Sequence, residues 1–205
     1  MRWLSYVVAA LVLVLGGDGP APAQSPGMAA GDVMRGRFVQ ERHLKGFNQP
    51  LKSEGAFVLV AGRGLIWRVE RPFEVTTVIT AAGLVQEVNG SETTRLSATR
   101  VPGLARLYDM LGGALTGDWR ALESQFLVQR RNDTGSWHVV LAPRADASTA
   151  TLPLKSIVVR GRQFVDDVRL EKPDGDTDVI VFANQVLSRG PLSPAEAGLL
   201  AHAAK

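Results

Sequence analysis

Residues 64–80 read GLIWRVERPFEVTTVIT, and this stretch predicts the fold. Leu65, Trp67 and Val69 fall on one face of a period-two pattern. After Pro72 the alternation resumes with four further residues on one face: Phe73, Val75, Thr77 and Ile79. Period-two alternation indicates strands with one buried face. Because so few residues separate the two runs, we expect an antiparallel pair that brings both sets of side chains onto one apolar surface.

Similar alternation recurs along the chain, in runs that begin at Trp137 and Phe164. Turn-forming sequences separate the runs, namely AGRG at 61–64, NG at 89–90, NDTG at 132–135, RG at 160–161 and PDGD at 173–176. Strands that recur roughly every 8–12 residues favour an antiparallel meander over a parallel βαβ fold. We therefore expect a mainly β protein of about ten strands, in one domain that covers residues 24–190.

Two segments carry helical signals. Residues 102–124 read PGLARLYDMLGGALTGDWRALES and hold an apolar stripe at helical spacing: Leu104, Leu107, Tyr108 and Leu111. This stretch is predicted to be a helical insertion. Near the C-terminus, Ser193-Pro194 precedes an Ala/Leu-rich stretch and predicts a helix over 193–203. The tail, residues 191–205, is therefore expected to be helical.

The N-terminal 23 residues resemble a signal peptide. Arg2 provides the positive charge, and residues 4–15 form an apolar run that is too short to cross roughly 30 Å of hydrocarbon. Ala21-Pro22-Ala23 then supplies the small-x-small pattern that signal peptidase recognises. We expect cleavage after Ala23 and export to the periplasm.

The composition excludes several classes of function. The chain has no cysteine, which excludes disulfide scaffolds, thiol catalysis and cysteine-ligated metals. A net charge of +3 over 205 residues falls well short of a dedicated nucleic-acid binder. Asp174, Asp176 and Asp178 are spaced like the start of a calcium loop, but Val179 and Gln185 stand where that loop requires Gly and Glu. We therefore expect no metal, no cofactor and no nucleic-acid partner.

Catalytic patterns are also weak. His43, Glu41 and Ser53 are the residue types of a hydrolase triad, but no nucleophile elbow surrounds Ser53. An envelope hydrolase is therefore the least favoured alternative, and we expect no catalytic residues and no enzyme.

The surplus of apolar residues on one sheet face has two interpretations. It is either ordinary core or the lining of an apolar pocket in a curved sheet that the 102–124 helices close. Under the second interpretation, eight residues are candidates for lipid binding: Phe57, Leu59, Leu65, Trp67, Val69, Phe73, Val75 and Ile79. The four residues of the 102–124 stripe are then the candidate lid.

The order of several short motifs resembles the LolA-like outer-membrane lipoprotein carrier family. The chain has Phe38-x-Gln40, Gly55-x-Phe57, Gly64-Leu65-Ile66-Trp67 and Pro72 in succession. Later, Gly117-Asp118 leads through Leu122 to Phe126, and a strand from Trp137 to Leu141 ends before Pro143. The resemblance covers roughly residues 33–187 and implies an unclosed antiparallel β-barrel, a half-barrel with a helical lid over an apolar cavity.

The resemblance also implies a function. Members of the family take the acyl chains of a lipoprotein from an inner-membrane exporter to an outer-membrane receptor. Two features depart from the family: the N-terminal amphipathic helix is hardly visible, and AGRG replaces the turn that holds the family's latch arginine, near which Arg63 lies. We expect a monomeric periplasmic carrier of a lipoprotein or another envelope lipid. A periplasmic lipid- or protein-binding sensor, or an accessory protein of an exporter, is the alternative.

Overall fold

A computed structural model describes residues 28–101, 123, 126–144 and 154–205. The described residues are mainly β, with eleven strands and a C-terminal helix, α1 (Pro194–Ala203). The strands are β1 (Asp32–His43), β2 (Leu51–Val60), β3 (Gly64–Arg71), β4 (Val75–Thr80), β5 (Gly83–Val88), β6 (Ser91–Ser97), β7 (Phe126–Asp133), β8 (Ser136–Pro143), β9 (Ser156–Gly161), β10 (Val165–Glu171) and β11 (Thr177–Arg189). None of the helices in these ranges is long and apolar enough to cross a membrane.

The strands form one antiparallel sheet in the order β6-β5-β4-β3-β2-β1-β11-β10-β9-β8-β7. Among the described strands, β6 and β7 end this order and do not pair with each other, so the sheet is unclosed. The predicted mainly β, unclosed antiparallel fold is therefore confirmed.

Short turns of the predicted kind join neighbouring strands. Between β5 and β6, Asn89 and Gly90 both have positive φ angles, of 50° and 78°. Two successive positive φ values define the type I′ turn, whose twist matches that of a hairpin and which Asn-Gly favours. The predicted turn at 173–176 likewise lies between β10 and β11 and is a hairpin connection.

The chain divides into two units, which are described separately. The helix-bearing unit contains the described residues of 28–39, 53–101 and 183–205. In it, α1 packs on one face of β2–β5, called here the helix face. The core there consists of aliphatic residues: Val33, Val60, Ile66, Val78, Val85, Leu200 and Ala203. The predicted C-terminal helix is thus confirmed, and its apolar side chains complete a core.

Polar contacts fix both ends of α1. At its start, the Glu196 backbone N–H donates to Ser193 Oγ, and the Ser193 N–H donates to Glu196 Oε2, which forms a capping box. Arg35 in β1 also donates two hydrogen bonds, of 2.9 and 2.8 Å, to the Glu196 carboxylate. At its end, the Thr80 hydroxyl donates to the Ala203 carbonyl at 3.2 Å.

The second unit, the β7–β10 unit, contains the described residues of 40–52, 123, 126–144 and 154–182. Trp137 lies opposite Gly161 across β8 and β9, and its indole N–H donates to the Arg162 carbonyl at 2.8 Å. Asp178 is fully buried; its carboxylate accepts a hydrogen bond from Arg42 Nε at 2.9 Å and lies 2.8 Å from Lys172 Nζ. Removing one partner from such a buried ionic group leaves an uncompensated charge and lowers the stability of the fold.

One strand boundary differs from the prediction. The alternation placed Phe73 in the strand with Val75 and Ile79, but β4 begins at Val75. Phe73 lies in the β3–β4 turn with 67% of its surface exposed, so its assignment to the strand was wrong. The side chain follows an irregular backbone there, to which the period of two does not apply. The predicted signal peptide (1–23) and, apart from the helical Glu123, the predicted insertion (102–124) lie outside the described residues.

Candidate functional site

The second face of β2–β5 collects most of the predicted lipid-binding residues. Phe57 lies opposite Trp67, and Trp67 lies opposite Thr77. Because directly opposed residues share a face of the sheet, the strand register defines one surface, called here the aromatic face. Its members are Phe57, Leu59, Leu65, Trp67, Val69, Val75, Thr77, Ile79, Leu84 and Gln86. Seven of the eight predicted residues therefore lie together, and Phe73 is the exception.

The centre of the aromatic face is buried and its margin is not. Phe57, Leu59, Leu65, Trp67 and Ile79 are each at most 5% exposed. Val69 and Val75, which lie opposite each other where β3 meets β4, are half-buried. The face thus has a dry centre and a more accessible margin at the β3–β4 turn.

Three aromatic rings form the centre of this face. Phe38, which comes from β1, stacks on Trp67 with ring centroids 3.7 Å apart and an angle of 22° between the planes. Phe57, on the neighbouring strand β2, lies beside Trp67, with ring centroids 6.3 Å apart and an angle of 24° between the planes. The rings of Phe38 and Phe57 are therefore both close to parallel with that of Trp67.

Two glycines allow the rings to lie close to the backbone. A Cβ atom at Gly36 would be 2.6 Å from Phe57 Cε1, and one at Gly55 would be 3.0 Å from Phe38 Cζ and would also clash with the Arg68 carbonyl. A glycine inside a strand often marks such a close approach. The Gly55-x-Phe57 motif in the sequence therefore has a local cause: the glycine makes room for a ring on this face.

The polar groups of the aromatic face satisfy each other. The Gln86 side-chain amide donates to Thr77 Oγ1 at 3.2 Å. None of the ten residues named above is ionisable; beyond Val69, Arg71 lies opposite Glu54 and forms an ion pair with it. The chemistry of the face is suited to hold an extended apolar group by burial alone, with few directional contacts.

Ion pairs lie on the opposite side of the same strands. Arg37 donates hydrogen bonds of 2.9 and 2.8 Å to the two carboxylate oxygens of Glu70. These bonds hold the pKa of Glu70 below its usual value. This ion pair lies on the side of β3 that bears Arg68 and Glu70, opposite to Trp67.

The remaining candidates do not form a chemical centre. Arg63, the candidate latch, lies exposed in the β2–β3 turn and forms no ion pair with any described residue. His43 Nε2 lies 3.6 Å from Glu41 Oε2 at an exposed position. Within the ranges that the structure covers, no group of three or more His, Asp or Glu residues could hold a metal ion.

The lipid-binding prediction left out three residues of the aromatic face, and the lid prediction named four that lie outside the described residues. These three are Thr77, Leu84 and Gln86. Phe38, which stacks on Trp67 and is 1% exposed, was counted among the apolar residues of one sheet face but not among the lipid-binding ones. The Phe38-x-Gln40 alternation was a signal for Phe38, but only the fold brings β1 beside Trp67. The four candidate lid residues, Leu104, Leu107, Tyr108 and Leu111, fall outside the described ranges.

Comparisons with known proteins give one family match and several similar structures. A family model described as "Outer membrane lipoprotein carrier protein LolA-like" matches residues 27–179. A DUF1329 family protein from Desulfovibrio piger has a similar structure, with 13% identity, a TM-score of 0.44 and coverage of 83% of this chain and 92% of that chain. No curated protein matches the sequence.

Two further solved structures are similar. For a LolA superfamily protein from Nitrosomonas europaea, the identity is 7%, the TM-score is 0.39, and the alignment covers 92% of this chain and 94% of that chain. For the MucA/MucB complex of Pseudomonas aeruginosa, the identity is 13% and the TM-score 0.36, with 81% of this chain and 55% of that chain covered.

Proposed function

This chain belongs to the LolA-like outer-membrane lipoprotein carrier family, and from that membership we propose that it is a periplasmic carrier of acyl chains. It shields the acyl chains of a lipoprotein or another envelope lipid and moves them from the inner to the outer membrane. The observation that carries the proposal is the aromatic face, whose apolar side chains share one surface of β2–β5 and include no ionisable group.

Physical chemistry explains why such a surface is sufficient. Burying one CH₂ group contributes roughly 0.8 kcal/mol, so a sixteen-carbon chain costs about 12 kcal/mol to expose to water. A lipid of this kind cannot cross an aqueous compartment unaccompanied. A carrier must cover the chain and later release it, and an apolar surface with few fixed polar contacts meets both requirements. No bond is made or broken, so the proposed carrier is not an enzyme.

The carrier proposal also assigns roles to the signal peptide, the lid, the latch and the two membrane partners. Residues 1–23 act as a cleaved signal peptide, and the mature chain receives its cargo from an inner-membrane exporter and delivers it to an outer-membrane receptor. The 102–124 segment serves as the lid, and Arg63 is the candidate for the latch. The two half-buried valines at the margin, Val69 and Val75, mark where an acyl chain enters the aromatic face.

The test uses neighbouring strand positions on opposite faces. Trp67→Glu places a carboxylate on the aromatic face, and we expect it to lower the affinity for a fluorescent sixteen-carbon fatty-acyl probe by at least about tenfold, since an unpaired charge is costly beside an acyl chain. Arg68→Glu is the matched control, because Arg68 is exposed on the opposite face of the same strand. It introduces the same carboxylate, and we expect probe affinity within about twofold of the parent.

Thermal unfolding of both variants accompanies the binding measurement. If water replaces the acyl chain when the site is empty, Trp67→Glu keeps a cooperative transition while it loses probe binding. Loss of folding together with binding would instead support the interpretation of the aromatic face as ordinary core. A sensor or accessory protein that binds lipid would pass this test but would not transfer the probe from donor to acceptor vesicles, which distinguishes the alternative.

A further inference from the structure

The loop between β1 and β2 presents apolar side chains to solvent. Phe47 is 71% exposed, more than any other large apolar side chain among the described residues. Leu51, at the start of β2, is 60% exposed. Two large apolar side chains exposed within five residues of chain make this loop a candidate interaction site.

The backbone of this loop is held in place. The Phe47 N–H donates to the Leu44 carbonyl at 3.1 Å, and Gly46 between them takes a φ of 87°. The Lys45 N–H donates to Asp176 Oδ1 at 2.9 Å, which ties the loop to the β10–β11 turn. Because the backbone is already ordered, presenting Phe47 to a partner requires little further loss of conformational entropy.

The charge pattern of the loop identifies the kind of partner. Residues 44–52 read LKGFNQPLK, with exposed lysines on both sides of Phe47 and no acidic residue. Acidic side chains of the β10–β11 turn lie beside the loop: Asp176 accepts from the Lys45 backbone N–H, and Asp174 accepts from the Asp176 N–H at 3.0 Å. The Lys45 side chain passes close to Gly175 between them. Apolar side chains flanked by lysines are suited to the interface of a bilayer that contains anionic lipids.

We propose that the β1–β2 loop docks this protein onto anionic lipid bilayers. Phe47 and Leu51 enter the boundary between headgroups and acyl chains, while Lys45 and Lys52 remain at the level of the phosphates. The β1–β2 loop is thereby a contact surface for lipid headgroups and not a site for cargo. This inference goes beyond the carrier proposal, because docking requires no acyl chain on the aromatic face, and either can fail without the other.

The experiment measures sedimentation of the full chain with vesicles of phosphatidylethanolamine and phosphatidylglycerol at 3:1, and with vesicles of phosphatidylcholine alone. We expect Phe47→Ser to weaken binding to the anionic vesicles about tenfold or more. Val181→Ser is the matched control, because Val181 lies in the same unit and is 50% exposed, but within the β11 strand. We expect the affinity of Val181→Ser for the anionic vesicles to stay within about twofold of the parent's. We also expect the parent to bind phosphatidylcholine vesicles more weakly than the anionic ones.

A second measurement reports how deeply the loop enters the bilayer. Tryptophan at position 47, introduced as Phe47→Trp, should be quenched by brominated lipids in the anionic vesicles, whereas Val181→Trp should not be. Since the parent's own tryptophans are present in both variants, their contribution cancels in the difference. Equal binding by Phe47→Ser and Val181→Ser, or no difference in quenching, would overturn the proposal. Absence of vesicle binding by the parent would also overturn it and would leave a protein partner as the occupant of the loop.

Discussion

The two faces of β2–β5 are built from the same four strands but are packed differently. On the helix face, Ile66 and Val78 interlock with Leu200 of α1, and hydrogen bonds fix both ends of the helix. On the aromatic face, the rings of Phe38 and Trp67 are nearly parallel, and Phe38 and Phe57 lie close to glycines. The contrast teaches that one set of four strands can bury aliphatic side chains against the chain's own helix on one face and aromatic rings on the other.

The largest expected effect breaks the helix face. Ile66→Asp puts an unpaired carboxylate among Val60, Val78 and Leu200, where it is neither solvated nor hydrogen-bonded. We expect the variant to have no cooperative unfolding transition at 25 °C by circular dichroism. Ile66→Val, which removes one methyl group, serves as the control and should cost about 1 kcal/mol. Because position 67 is predicted to tolerate a carboxylate, an Ile66→Asp variant as stable as Trp67→Glu would remove the distinction between the two faces.

A smaller effect concerns the ion pair that holds α1 on its face. Hydrogen bonds from Arg35 lower the pKa of Glu196 from its usual 4.5 to about 2. A carboxyl whose pKa is lower in the folded state stabilises the fold above its unfolded pKa, and this stabilisation is lost as the pH falls from about 4.5 to about 2. Since Arg35 is partly exposed, solvent screening reduces the contribution to about 1–2 kcal/mol.

Denaturant unfolding at pH 6 and at pH 2.5 checks this prediction. The parent should be more stable than Glu196→Gln at pH 6, and the difference should shrink at pH 2.5. The comparison with Glu196→Gln is required because the pKa of Glu92 is also lowered to about 2, by hydrogen bonds from Arg95 and His202, and titrates in the same window. A difference between parent and variant that does not depend on pH would show that Arg35 does not stabilise the ionised carboxylate.

The smallest effect sharpens the description of the aromatic face. Gly36→Ala would place a methyl group 2.6 Å from the Phe57 ring, so the ring must move. We expect a loss of about 1 kcal/mol, a change in the near-ultraviolet circular dichroism of the neighbouring Trp67, and altered affinity for the acyl probe. Gly190→Ala is the control, because nothing lies within 4 Å of a Cβ atom there. If both variants match the parent in spectrum and affinity, close packing of the rings on the glycines affects neither the environment of Trp67 nor probe binding.

Local patterns predicted much of this molecule because their causes are local. Alternation around Leu65 and Trp67 predicted β3, and Ser193-Pro194 predicted the start of α1, where the capping box forms between residues three apart. The same reasoning failed at Phe73, since alternation does not show where a strand ends. A turn can continue the pattern while its backbone points the side chain to solvent.

The sequence by itself determined the strands, the turns, the C-terminal helix and the apolar character of β2–β4, because each depends on residues close together in the chain. Only the tertiary structure decided which face of those strands α1 covers, because that contact joins residues far apart in the chain. It also decided that Phe38 stacks on Trp67, 29 positions away, because the order of strands in the sheet is a non-local property. Long-range pairing depends on the whole chain's packing, and it is this pairing that assembles the aromatic face.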